Sequence, residues 1–224
     1  MRRAGLVVAD VLAAVRAGAR PGMTTADLDG IARRVIAEAG ATSNFLGYHG
    51  FPATVCVSVN DEVIHGIPGS RELQVGDVVS VDAGAVVDGW HGDSAATFIL
   101  GAGGALAPGS PDVDPGDDAL VRATEAAMWA GIAALAQRGR LNDVGRAVEA
   151  ALDVAARATG EELGIVEEYV GHGIGTAMHQ PPDVLNYATS SRGIAVKAGM
   201  CLAVEPMVTR GAGRRASSRT AGRS

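Results

Sequence analysis

The sequence predicts a mixed α/β (α+β) fold built as two pseudo-symmetric halves, and three observations point there. Helix, turn, helix and strands follow one another over residues 1 to about 105, and the same order returns from about 117 to 209. Between the halves, residues 101–117 are rich in Gly, Pro and Asp, which suits a connector. A chain of 224 residues with an apolar share of 47% can bury a substantial core. Aromatic residues make up only 4%, so that core must rest on Ala, Val, Leu and Ile.

The elements follow in order. The opening M-R-R-A-G-L-V-V-A-D-V-L-A-A-V has the apolar run of a signal peptide, but Asp10 interrupts it. Val8, Leu12 and Val15 recur at helical spacing, which predicts an amphipathic helix to about Gly18. R-P-G-M-T-T is a turn. Thr24 with Asp27 three residues later has the pattern of a capping box, opening a second helix through about Ala39. A Gly-rich turn from Gly47 to Pro52, a strand in T-V-C-V-S-V and a loop holding His65 come next. The runs D-V-V-S-V-D-A-G and A-V-V-D-G-W-H-G-D, with A-T-F-I-L after them, predict a hairpin that turns at Asp88-Gly89.

In the second half a helix is expected from roughly Asp118 to Gln137, and Asn142 can cap another to about Ala158. A strand near Ile165 to Val170, an irregular segment with His172 and His179, and a strand from Met200 to Val208 complete it. Residues 210–224 are rich in Arg, Ser and Gly without apolar periodicity, so a basic, disordered tail is expected there and the folded domain is 1–209.

Composition excludes several classes. A net charge of −6 gives no reason to expect DNA or an anionic membrane as partner. No stretch reaches the expected length of a membrane span. Cys56 and Cys201 both fall in apolar alternating segments and are expected to be buried free thiols of a reducing, cytoplasmic compartment.

The chemistry concentrates in scattered acidic residues and histidines. If Asp88 and Gly89 form a two-residue turn, Asp82 stands opposite Ala95 and Gly84 opposite Asp93. The two aspartates are then diagonal neighbours on one face, about 7–8 Å apart at the backbone. A pair of carboxylates beside a buried strand needs a cation or a raised pKa, although a lone carboxylate on a sheet face is more often a solvated residue. His172 lies between glycines in G-H-G-I-G, and Glu205 sits in the apolar A-V-E-P-M-V, where an unpaired carboxylate is costly. This mixed O/N donor set suits divalent ions. His91 fits a hydrogen-bonding neighbour of such a centre.

Taken together, G-Y-H-G-F-P, V-C-V-S-V-N-D-E-V-I-H-G-I-P, V-D-A-G, D-G-W-H-G-D-S, G-H-G-I-G and V-E-P-M-V resemble the bacterial type I methionine aminopeptidases. The blocks run in the family's order over most of residues 1–209. The resemblance implies the pita-bread (creatinase/aminopeptidase-like) fold and Asp82, Asp93, His172 and Glu205 as ligands of two divalent ions (Co, Mn, Fe or Zn), with Asp93 bridging. It implies that His65 and His179 contact substrate, with His179 facing the developing oxyanion, and that Glu205 handles the proton. The methionine side chain would enter a pocket near Phe45, Tyr48, His49, Phe51 and Met178; for Phe45, Phe51 and Met178 ordinary core packing is the competing reading. The implied substrate is the N-terminal Met of nascent peptides and the implied state a monomer, with the ribosome open as a partner.

One departure bears on activity. The family continues past its E-P-M block into two further strands with a second, bridging glutamate, which has no counterpart here, so a fold lacking the last strands and an impaired site are expected. A truncated or out-of-frame terminus would account for the tail. A non-catalytic pita-bread protein that binds peptide or ribosome is the alternative, and a proline-specific peptidase of the same fold a third reading.

Overall fold

In the computed structural model, which describes residues 1–137 and 139–211, the chain forms two compact units. The first comprises Met1–Asp118 with Ile174–Gln180; the second comprises Ala119–Gly173 and the residues from Pro181 onward.

The first unit opens with helix α1 (Arg2–Gly18), which buries Ala4, Val8, Val11 and Val15 along one stripe. Helix α2 (Thr25–Glu38) starts at the predicted capping box: Thr24 accepts from the Asp27 N–H, and Asp27 accepts from the Thr24 N–H at 2.8 Å. Strands β1 (Thr42–Ser43) and β2 (Val55–Val59) both pair antiparallel with β3 (Val78–Val87). Strand β3 also pairs with β4 (Trp90–Gly101), and β5 (Gly104–Ala105) completes the five-stranded sheet. The predicted turn and register hold: Asp88 and Gly89 have φ of 52° and 77°, and Asp82 faces Ala95 while Gly84 faces Asp93. Odd-numbered Val79, Val81, Ala83 and Ala85 join Val8, Val11, Val15, Leu28, Val55 and Val57 in the core. The alternation of a strand turns Ser80, Asp82 and Gly84 to the other face. Asp29 anchors α2 to β2 by accepting from the N–H groups of Thr54 (2.6 Å) and Val55 (3.1 Å), a tie between distant segments that no local pattern signals.

The second unit is built from α3 (Pro115–Ala136), whose first residues belong to the first unit, and α4 (Asp143–Thr159). Its strands are short: β6 (Leu163–Ile165) pairs with β9 (Val208–Arg210), and β7 (Gly171–Gly173) pairs with β8 (Gln180–Val184). Ala123, Ala127, Leu141, Val144, Val148, Leu152 and Val184 form its core. The order helix, helix, strands thus repeats, but several expectations change. The strand expected near Ile165 to Val170 ends at Ile165. The strand expected from Met200 to Val208 is instead an irregular segment with one bridge, Leu202 to Gly173, and regular pairing begins only at Val208. Without a ladder to bury it, Cys201 is exposed, whereas Cys56 in β2 is buried. Asn142 starts α4 without a side-chain cap; its Nδ2 donates instead to Thr189 Oγ1 and Ser191 O, both at 3.1 Å.

Helix α3, with 22 residues, is long and apolar enough by length and composition to cross a membrane, contrary to the reading of the sequence. Its hydropathy comes largely from alanine, and core helices of water-soluble proteins meet the same criterion. Of the expected tail, Arg210 closes β9, and residues 212–224 lie outside the described residues.

Candidate metal centre and substrate pocket

In the first unit, the β3–β4 register puts Asp82 and Asp93 on the sheet face turned away from the helices. Gly84 sits opposite Asp93 because Asn44 lies across it: a Cβ at Gly84 would come 2.5 Å from Asn44 Nδ2. That Nδ2 donates to Gly92 O at 2.9 Å, tying down the residue before Asp93. Cys56 stands directly across the ladder from Asp82. Burial, and then the Asp82 and Asp93 charges, push its thiol pKa up to about 12, so Cys56 is a neutral apolar wall beside the carboxylates. It packs with Phe45 and Met178, all three 8% exposed or less, and with half-buried Phe51. The Phe45 and Phe51 rings meet edge to face with centroids 6.4 Å apart.

His179 and Tyr48 adjoin this cluster in sequence and are exposed. Tyr48 Oη lies 3.0 Å from His179 Nδ1, and His49 stacks edge-on against Tyr48 at 4.4 Å between ring centroids. His49 and His65 have φ of 47° and 57°, left-handed values that are uncommon for residues with a Cβ and that recur at functional sites. Partial burial draws the His65 pKa below the ordinary imidazole value, with Asp93 pulling the other way. His91 has the same two opposed influences. Its imidazole Nδ1 is buried with no protein hydrogen-bond partner, and its main-chain N–H donates to Gly175 O at 2.9 Å.

In the second unit, His172 and Glu205 come together, with Nε2 to Oε1 3.3 Å apart. His172 Nδ1 is 2.9 Å from Gly173 O. A carbonyl only accepts, so a proton is assigned to Nδ1, and Nε2 is the ring atom that faces the Glu205 carboxylate. A ring nitrogen and a carboxylate oxygen brought this close suit a shared cation, and an Nδ1 held by a main-chain carbonyl is what a ligand imidazole requires. The donor set therefore fits a divalent metal. Among the described residues no three His, Cys, Asp or Glu side chains form a preformed cluster, so the candidate ligands stand as one pair in each unit.

Residues 1–220 match the sequence pattern of metallopeptidase family M24. The chain belongs to this family. Membership in M24 carries with it the use of divalent metal and the pita-bread fold. Methionine aminopeptidase 1 of Mycobacterium tuberculosis is 49% identical over 212 residues, covering 94% of this chain and 76% of that protein. Among solved structures, the methionine aminopeptidase of Rickettsia prowazekii superposes with a TM-score of 0.80 at 32% identity, over 94% of this chain and 78% of its own. The Thermotoga maritima methionine aminopeptidase gives 0.79 at 34% identity, over 94% and 79%.

Sequence reasoning missed Asn44, Cys56 and Asn186 as neighbours of the candidate site residues. For Asn186 the signal was faint, a polar residue inside the otherwise apolar V-L-N-Y, and for Asn44 in T-S-N-F there was none.

Proposed function

We propose that this chain is a methionyl aminopeptidase of the cytoplasm, acting as a monomer that hydrolyses the first peptide bond of nascent peptides beginning with Met. The observation that carries this reading is the position of Cys56. One residue faces Asp82 across the ladder and packs on Phe45 and Met178, so a cluster of apolar side chains adjoins the carboxylate pair. An unbranched thioether side chain suits an apolar surface of this kind, and S–aromatic contacts with Phe45 and Phe51 would favour it.

Asp82 and Asp93 in the first unit and His172 and Glu205 in the second are the residues that would hold two divalent ions, drawn from Mn, Fe, Co or Zn. When bound, such ions polarise a carbonyl and lower the pKa of water. The chain's own groups do the rest. With the Tyr48 hydroxyl as donor to His179 Nδ1, 3.0 Å away, the ring proton would sit on Nε2, free to donate to the oxygen of the scissile carbonyl as charge develops there. His65, its pKa lowered, stays neutral near pH 7 and orients the substrate amine by a hydrogen bond. Glu205 takes a proton from the attacking water and passes it to the departing amide nitrogen.

The test is methionine release from Met-Gly-Met by the purified chain, titrated with Mn²⁺ and Co²⁺, beside Asp93→Ala. Metal-dependent release that the substitution abolishes is expected. No release from protein that circular dichroism shows to be folded would overturn the reading in favour of a peptide-binding protein.

A further inference from the structure

The segment that carries Glu205 lacks a strand ladder. Its ties to neighbouring backbone are the Leu202 bridge to Gly173, the Ala203 N–H donating to His172 O at 2.8 Å, and Met207 O accepting from the Val166 N–H at 3.0 Å. At Glu205 itself the main-chain carbonyl accepts from a side chain, Asn186 Nδ2, at 3.1 Å. Asn186 is fully buried, with 0% exposure, and follows β8, the strand that pairs with His172-bearing β7. Its Oδ1 is buried with no protein donor, a position that costs about 1–3 kcal/mol and that an apolar residue would avoid. The amide cannot be turned over to relieve this, because its oxygen would then face the Glu205 carbonyl oxygen. The first unit uses the same device: Asn44, 7% exposed, donates to the carbonyl next to Asp93 and also leaves its Oδ1 without a protein donor.

We propose that Asn186 is a positioning residue, which holds the Glu205 main chain so that the carboxylate stays aimed, with His172 Nε2, at a divalent cation. This rests on the metallopeptidase reading for the identity of the ligand pair. Removing such a hydrogen-bonding neighbour weakens metal binding about ten- to a hundredfold in known metal sites.

The experiment measures the Kd of Mn²⁺ alone by calorimetry on the full metal-free chain, for wild type, Asn186→Ala and Asn142→Ala. Asn142 is a comparably buried asparagine of the same unit whose amide serves Thr189 and Ser191, so it controls for general loosening. Both variants should melt below wild type, but only Asn186→Ala should raise the Kd, by about tenfold or more. Methionine release, followed in parallel at saturating Mn²⁺, should lose kcat with little change in KM. If Asn186→Ala does not fold, Asn186→Ser, too short to reach the Glu205 carbonyl, replaces it and should raise the Kd likewise. A Kd within twofold of wild type, an equal rise in Asn142→Ala, or no Mn²⁺ binding by wild type would overturn the proposal. Wild-type protein that binds Mn²⁺ without releasing methionine would defeat the peptidase reading alone, and the ratio of Kd values would still decide the role of Asn186.

Discussion

The two units hold their candidate ligands by different means. In the first, Asp82 and Asp93 ride on strands of 10 and 12 residues whose register is fixed by a two-residue turn and by a continuous valine core on the opposite face. A one-residue slip would send every side chain of β3 to the wrong face, so the register is strongly specified. In the second, His172 lies in a strand of 3 residues and Glu205 in no strand at all. Isolated bridges, single main-chain bonds and one buried amide do the work of a ladder there. The same kind of carboxylate is thus placed by collective pairing in one unit and by a few individual contacts in the other, and the second arrangement should yield first to perturbation.

The two free cysteines offer the largest contrast. With its pKa near 12, Cys56 has a thiolate fraction of about one in ten thousand at pH 8, and its side chain is buried in the sheet. Cys201 is exposed in the unladdered segment of the second unit. An aromatic disulfide reagent at pH 8 should modify one equivalent of thiol rapidly and the second at least a hundredfold more slowly, with peptide mapping placing the fast site at Cys201. Equal rates would mean that the first unit opens as readily as the second, and the comparison would fail.

Core truncation comes next in size. Leu28→Ala, at a side chain with no exposure beneath the five-stranded sheet, should cost about 2–5 kcal/mol in urea unfolding. Leu152→Ala on α4, at 4% exposure among shorter strands, should fall at the low end, about 2 kcal/mol, because its surroundings can collapse into the gap more easily. A larger loss at Leu152 would reverse the ranking of the two units.

What could be read from the sequence follows the same division. The β3–β4 register, the opposition of Gly84 to Asp93 and the capping box at Thr24 were legible because each depends on residues a few positions apart. The pairing of β6 with β9 joins segments more than forty residues apart, and the exposure of Cys201 follows from a ladder that does not form. Local alternation in M-C-L-A-V-E-P-M-V reads as a strand whether or not a partner exists. Asn44 and Asn186 were invisible for a related reason: their partners are main-chain carbonyls, which carry no sequence signature.

Within the first unit, Tyr48 and His179 are the exception to placement by register, since one side-chain hydrogen bond of 3.0 Å links them. Tyr48→Phe removes that bond and the bias it places on the His179 tautomer. A loss of about 1 kcal/mol is expected, a fall in kcat for methionine release of roughly fivefold with KM little changed. An unchanged kcat would detach Tyr48 from the proposed role of His179 and leave it as an exposed neighbour of the Phe45 cluster.

The smallest effect probes the starts of the second helices, where the units are most alike. Asp27 accepts from the N–H of Thr24, and Asp143 from that of Arg140, each three residues upstream. Both carboxyl groups have pKa values lowered below the ordinary 3.8, chiefly by those backbone bonds, with Thr24 Oγ1 adding to the first and Arg146 to the second. A carboxyl whose pKa is lower in the folded state favours folding while it is ionised in both states. That contribution is complete above the unfolded value of 3.8 and disappears as pH falls through the lowered folded value. Asp27→Asn and Asp143→Asn should therefore melt below wild type at pH 7, and the differences should close below about pH 3.8. Salt separates the two: added NaCl should shrink the Asp143 difference, which includes attraction to Arg146 and Arg192, and leave that of Asp27, which rests on neutral donors. An identical salt response would mean that the second unit anchors its helix as the first does, through the hydrogen bond alone, and would narrow the contrast between the units to their strands.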